Sequence, residues 1–68
     1  MINIEDLIPL LKKGYLAMDE DGLWYWYETE PKRGFGYWHN SEEGCAWDLE
    51  PFDIAPAEDW EKSLRKVG

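Results

Sequence analysis

Apolar residues along this chain follow two different periods, which divide the sequence into three segments. In the first segment they recur at helical spacing, at Ile4, Leu7, Ile8 and Leu11. Proline is tolerated in the first turn of a helix and disrupts its interior, so Pro9 limits how early a regular helix can begin. The pattern therefore predicts a short helix over residues 6–13, capped by Asp6, with Asn3 as the alternative cap.

The middle segment is rich in aromatic residues, which favour strands. Clusters of turn-forming residues interrupt it, and strands are predicted over residues 15–19, 22–28, 35–39 and 45–49. The Asp21-Gly22 pair predicts a tight hairpin between the first two strands, and residues 40–44 predict a second hairpin between the last two. Residues 30–34 are expected to form the loop between these hairpins.

The last segment returns to helical spacing, with Trp60, Leu64 and Val67 on one face and Pro56 at a favourable first position. It predicts a C-terminal helix over residues 56–66. The expected fold is α+β: a small antiparallel meander of three to four strands, flanked by a short N-terminal helix and a C-terminal helix. A chain of 68 residues is expected to form a single domain.

Pairing across the first hairpin predicts which residues share a face of the sheet. With a turn of two or four residues, even-numbered residues of the first strand share a face with odd-numbered residues of the second. Leu16 and Met18 then lie on the face that the helices cover, and Tyr15, Trp24 and Trp26 lie on the other as an aromatic contact surface. The alternative is that loops and the segment around Trp60 bury these aromatic residues as core.

The composition agrees with a folded domain, and the distribution of charge indicates where a partner would bind. The chain is 44% hydrophobic and 16% aromatic, so a folded core is expected despite a net charge of -8. That charge argues against direct binding of nucleic acid, which draws affinity from Lys and Arg. Residues 14–54 hold ten acids and only two bases, Lys32 and Arg33, together with ten of the eleven aromatic residues. Any partner is therefore expected at the aromatic sheet and its acidic loops.

The expected location is the cytoplasm. A single cysteine cannot form an intramolecular disulfide, and small secreted domains usually need several. The N-terminal segment has acids before its apolar run and lysines after it, the reverse of a signal peptide. No apolar stretch approaches membrane-spanning length, so no membrane association is expected.

Residues that could carry chemistry are few. His39 and Cys45 could meet across the second hairpin, but no third residue to orient them is evident, so we expect no catalysis. The acidic run at Asp19 resembles only the start of a calcium loop, and one Cys with one His supplies half of a zinc site. We therefore expect no metal and no cofactor.

The sequence favours a non-catalytic protein-interaction module. Its candidate interaction surface combines aromatic residues with acidic loops: Tyr15, Trp24, Trp26, Tyr37, Trp38, Trp47, Asp19, Glu20, Asp21, Glu42 and Glu43. The expected partner is a protein, basic or nucleic-acid-binding, and DNA mimicry by ordered carboxylates is one version of this hypothesis. The alternatives are a binder of small ligands or proline-rich peptides, and a structural or assembly component.

Two resemblances bear on these alternatives. The spacing of Trp26, Tyr37, Trp38 and Trp47 resembles that of a WW domain, which implies Tyr37 and Trp47 as a proline-gripping pair. The expected helices and the order of His39 and Asn40 depart from that family. Across nearly the whole chain, residues 5–12, 21–27 and 52–64 resemble a group of small acidic proteins of tailed phages and prophages of gut bacteria. This second resemblance implies a phage or prophage accessory role, and it carries over no functional residue.

Overall fold

A computed structural model describes residues 1–40 and 44–68 of the chain. Within these ranges the elements are α1 (Ile4–Leu7), a 3₁₀ turn (Ile8–Leu10), β1 (Gly14–Met18), β2 (Trp24–Tyr27), β3 (Pro31–Arg33), β4 (Trp38–Asn40), β5 (Ala46–Asp48), a second 3₁₀ turn (Trp60–Lys62) and β6 (Arg65–Val67). The α+β class, the mostly antiparallel sheet and the short N-terminal helix are confirmed. Glu42 and Glu43 lie outside the described residues.

The N-terminal helix begins earlier and ends sooner than residues 6–13. The side chain of Asn3 caps α1 by accepting from the amide of Glu5 at 2.9 Å, so Asn3, and not Asp6, is the N-cap. Pro9 has no amide hydrogen to donate to the carbonyl of Glu5, and the chain tightens into the first 3₁₀ turn there.

Four strands form the main sheet in the order β5-β2-β1-β6, and every neighbouring pair is antiparallel. Leu16 lies opposite Trp26 and Met18 lies opposite Trp24. The predicted face assignment is therefore wrong, because the turn between β1 and β2 holds five residues, from Asp19 to Leu23, and an odd number reverses the parity.

The predicted C-terminal helix is also wrong. The second 3₁₀ turn ends at Lys62, and β6 then pairs with β1, with Val67 opposite Gly14. Ser63 stabilises this change of direction. Its buried hydroxyl accepts from the amide of Met18 at 2.8 Å and lies 3.2 Å from the carbonyl oxygen of Met18. The C-terminal segment therefore completes the edge of the sheet.

The predicted second hairpin is replaced by different pairings. Strand β4 pairs with β3, which falls where a loop was expected, and β5 pairs with β2 in the main sheet. Consequently His39 and Cys45 belong to strands, or strand flanks, of different sheets.

Both faces of the main sheet are covered. On one, which we call the helix face, a core cluster forms under α1 from Leu7, Leu16, Met18, Trp24, Trp26, Leu49, Ile54 and Val67. On the other, the tyrosine face, Ala17, Tyr27 and Trp38 are buried, with Tyr15, Tyr25, Trp60 and Leu64 packed against them. The β3–β4 hairpin and the Trp60 turn thus cover the tyrosine face, as α1 covers the helix face. No helix among the described residues is long and apolar enough to cross a membrane.

Candidate functional site

The two tryptophans expected at the contact surface lie in the core. Trp24 is 3% exposed and Trp26 is 4% exposed, both on the helix face. Their indole nitrogens donate to the carbonyl oxygens of Ala55, at 3.2 Å, and Lys12, at 3.0 Å. The expectation that they are exposed is wrong, because the five-residue turn rotates them under α1.

Among the other expected aromatic residues, Trp38 is also buried, and its indole nitrogen donates to the carbonyl oxygen of Trp60 at 3.1 Å. Tyr15 is half-buried on the tyrosine face. Tyr37 and Trp47 are half-exposed, but they lie on opposite faces: Trp47 stacks on Trp26 with ring centroids 4.9 Å apart, and Tyr37 lies beside the tyrosines of β2. A proline-gripping pair like that of a WW domain is therefore not assembled.

The acidic turn organises the second sheet. A carboxylate oxygen of Asp19 accepts from the amide of Trp38 at 2.7 Å, and the amide of Glu20 donates to the carbonyl oxygen of Gly36 at 3.0 Å. Asp21 accepts from the amide of Leu23 at 2.9 Å within the turn itself. Two of these three residues therefore attach the β3–β4 hairpin to the main sheet.

Docking of the hairpin leaves a groove on the tyrosine face. Its volume is about 340 Å³, and it is lined by Asp19, Tyr25, Tyr27, Tyr37, Trp38, His39, Asn40 and Ala46. Two ring pairs contribute to its walls. Tyr25 and Tyr27 on β2 have centroids 6.2 Å apart, and Tyr37 and His39 on the hairpin have centroids 6.1 Å apart. We call this the tyrosine groove.

The rings of β2 lie in a negative electrostatic environment. Burial raises the pKa of the Tyr25 phenol, and the charges of Asp48, Asp19, Asp21 and Glu50 raise it further. Burial and the charge of Asp19 also raise the pKa of Tyr27, as does Tyr25 when it is ionised, and the Tyr27 hydroxyl donates to the carbonyl oxygen of Trp38. Phenols near several carboxylates resist losing a proton because a second negative charge there is disfavoured.

The carboxyl group of Asp19 lies in the same negative environment. Burial raises the pKa of its carboxyl group, the hydrogen bond from the Trp38 amide lowers it, and the charge of Asp21 raises it, with an upward net shift. Asp48 lies directly opposite Tyr25 in the β2–β5 ladder, which places its side chain on the tyrosine face. Carboxylates from the first turn and from β5 therefore lie on the same face of the sheet as Tyr25, and Asp19 lines the groove itself.

The groove combines aromatic rings, hydroxyl groups and nearby carboxylates. Aromatic faces, phenol hydroxyls and a negative potential favour binding of a group that is positively charged and has apolar flanks. Within the described residues, no three His, Cys, Asp or Glu side chains gather in a way that could hold a metal ion.

Several groove residues were missed by sequence reasoning. Tyr25 and Tyr27 were assigned to the helix-covered face, and Asp48 and Glu50, which do not line the groove but whose charges act on Tyr25, were not singled out. One available signal was the alternation of Trp with Tyr from Trp24 to Tyr27, which places both tyrosines on one face of the strand with hydroxyls that need polar partners.

No protein-family model matches the chain, and searches of curated proteins and of solved structures find no match either.

Proposed function

We propose that this chain is a non-catalytic protein-interaction module that binds a basic surface of a partner protein through the tyrosine groove and the carboxylates around it. One observation carries the proposal: Asp19 lines a groove walled by aromatic rings, and Asp48 lies opposite the groove residue Tyr25 in the β2–β5 ladder, so carboxylates from two separate parts of the chain lie beside these rings. Negative potential steers basic partners, and aromatic side chains supply contact area at low conformational cost.

The size and position of the groove support a macromolecular partner. Its volume of about 340 Å³ lies at the lower end of the range of small-molecule sites. It fits one side chain or a short extended segment, and Tyr37 is exposed at its rim. The setting we propose is an accessory protein of a phage or prophage, acting in the cytoplasm of the bacterial host.

DNA mimicry is a narrower version of the proposal, and one observation favours it. Three carboxylates are held in place by backbone amides: Asp19 by Trp38, Asp21 by Leu23 at 2.9 Å, and Asp48 by Glu50 at 2.6 Å. A mimic of phosphates needs charges at fixed positions, and these hydrogen bonds supply that order. The partner would then be a nucleic-acid-binding protein.

Affinity capture from a bacterial lysate at low and at high NaCl tests the proposal. The variant carries Asp48→Asn and Glu50→Gln, which remove two charges that act on Tyr25, and the matched control carries Glu28→Gln and Glu58→Gln, which remove two exposed charges that do not line the groove. We expect basic proteins to bind the native chain and the control, and to be lost with the variant or with high salt. Captured proteins that are not basic, or that bind the variant equally, would contradict the proposal.

Duplex DNA added during capture separates the two versions. Under the mimicry version the added DNA releases the captured protein, because DNA and this chain compete for the same surface of that protein. Retention in the presence of excess duplex contradicts mimicry and leaves the wider proposal intact.

A further inference from the structure

We infer that the tyrosine groove is a receptor for the cationic head of a single lysine or arginine side chain presented by the partner. This inference rests on the proposed function and makes it more specific, since it names the group that enters the groove.

The walls of the groove suit such a head. Aromatic rings come from both sides: Tyr25 and Tyr27 from β2, and Tyr37 from the end of the hairpin tip. The planes of Tyr25 and Tyr27 are inclined at 38° to each other, so they form an angled wall and not a flat plate. A cation within about 6 Å of an aromatic centroid is attracted by the ring face. Tyr27 is only 3% exposed and backs the groove, so an incoming charge would meet mainly the rings of Tyr25 and Tyr37.

No cation of the described chain occupies this position. Arg33 forms an ion pair with Glu61 at 3.5 Å, and Lys32, opposite His39 in the hairpin, is not among the lining residues. Lys12 lies on the other side of the sheet, with its ammonium 5.7 Å from the centroid of the Trp47 ring. The Trp47 ring thus has a lysine against it already, whereas the tyrosine groove would receive its charge from another molecule.

The charges around the groove discriminate among occupants. The carboxylates of Asp19 and Asp48 disfavour an anion and give no advantage to a neutral proline or sugar ring. They favour a cation, and the rings accommodate the methylene stem that Lys and Arg bury beneath their charged heads. Charge complementarity therefore selects a basic side chain among the groups that an aromatic groove could hold.

The test is an NMR titration of the ¹⁵N-labelled full chain with blocked five-residue glycine peptides whose central residue is Lys, Arg, norleucine or Glu. We expect the Lys and Arg peptides to shift the amide signals of Tyr25, Tyr37 and His39, and high NaCl to weaken this binding. The norleucine peptide, which keeps the apolar stem and lacks the charge, should bind at least about fivefold more weakly. Equal binding of the Lys and norleucine peptides, or shifts centred on Trp47, would overturn the inference.

Two exposed aromatic residues of the hairpin supply matched variants. Tyr37→Leu removes a ring from the groove, and Phe35→Leu removes one from the hairpin tip, where the side chain is 99% exposed. We expect Tyr37→Leu to weaken the Lys peptide by about fivefold or more and Phe35→Leu to leave it unchanged. Because Phe35 is fully exposed and Tyr37 is half-exposed, both variants should fold, which near-ultraviolet circular dichroism checks. The same loss with both variants would contradict the inference.

Failure of the inference is distinguishable from failure of the proposed function. If the Lys and Arg peptides do not bind while capture remains sensitive to salt and to the Asp48 and Glu50 variant, the inference is wrong and the proposed function stands. If the peptides bind at the groove while capture is insensitive to both, the proposed function is wrong and the groove keeps its cation specificity.

Discussion

Gly14 shows how little space separates the strands and core of this small fold. A Cβ atom placed on Gly14 would lie 2.5 Å from the carbonyl oxygen of Tyr27 and 2.7 Å from the indole ring of Trp26. Neither atom can move away easily, since one belongs to the β1–β2 ladder and the other to the core. The requirement at this residue is for space, because its backbone φ is not positive.

We therefore expect Gly14→Ala to lower the free energy of unfolding by at least about 1–3 kcal/mol, the usual cost of overpacking. Gly44→Ala is the matched control, because the nearest atoms to its Cβ, at 3.2–3.4 Å, belong to the side chains of Glu28 and Thr29 and not to the backbone or the core. The control should change stability by less than about 0.5 kcal/mol. Urea denaturation followed by tryptophan fluorescence measures both, and equal stability of the two variants would contradict this account.

Among the elements, the β3–β4 hairpin is attached to the main sheet partly through a side chain outside it. Asp19 accepts from the amide of Trp38, the first residue of β4, and Trp38 in turn covers Ala17 and Tyr27. The hairpin tip is attached at a second point, where Glu20 donates to Gly36. The contacts that attach the hairpin to the main sheet therefore also close the tyrosine groove.

The corresponding prediction is that Asp19→Ala destabilises the fold by about 1–3 kcal/mol, because the Trp38 amide loses its acceptor. Asp19→Asn keeps an acceptor oxygen and should cost less. Hydrogen exchange at the Trp38 amide reports the effect locally and should accelerate in the alanine variant. Unchanged exchange there would show that Asp19 does not hold the hairpin.

The raised pKa of Asp19 also predicts that the stability of the fold depends on pH. Its folded-state pKa is raised, so the folded protein holds this proton more tightly than the unfolded chain does. The contribution of the group to stability is therefore full below the ordinary aspartate pKa and is lost as pH rises through the raised value. Relative to Asp19→Asn, the native protein should become less stable across that acidic window, as urea midpoints measured at successive pH values would show. An opposite trend would contradict the upward shift.

The whole molecule carries a net charge of -8, and most of its acids lie around the sheet and its loops. Mutual repulsion among these acids opposes the compact state. One exposed ion pair, between Glu5 and Arg65, acts in the other direction, and the bond from Arg65 lowers the pKa of Glu5.

Because the chain has 15 acids against 7 Lys and Arg and exposed ion pairs contribute little, we expect repulsion to dominate and added NaCl to raise the urea midpoint of the native chain. Asp48→Asn with Glu50→Gln should reduce this salt effect, since two of the interacting charges are removed. A fall in stability with salt would mean that attractive pairs dominate, contrary to the charge distribution of the sheet.

The amino-acid sequence by itself determined which segments form strands more than how those strands are arranged. Aromatic runs and turn clusters located β1, β2, β4 and β5 to within a few residues, because strand propensity and turn chemistry are local. The concentration of acids and aromatic residues in the middle segment was also readable, and the tyrosine groove lies there.

Tertiary structure alone decided which residues face each other. One extra residue in the first turn exchanged the faces of Trp24 and Tyr25, since side chains alternate with a period of two and parity depends on turn length. The C-terminal segment became β6 because β1 offered an unpaired edge and Ser63 satisfied the backbone of Met18, two conditions that no local window contains. The tyrosine groove exists for the same reason: its walls come from β2, β4 and the first turn, and only their packing brings them together.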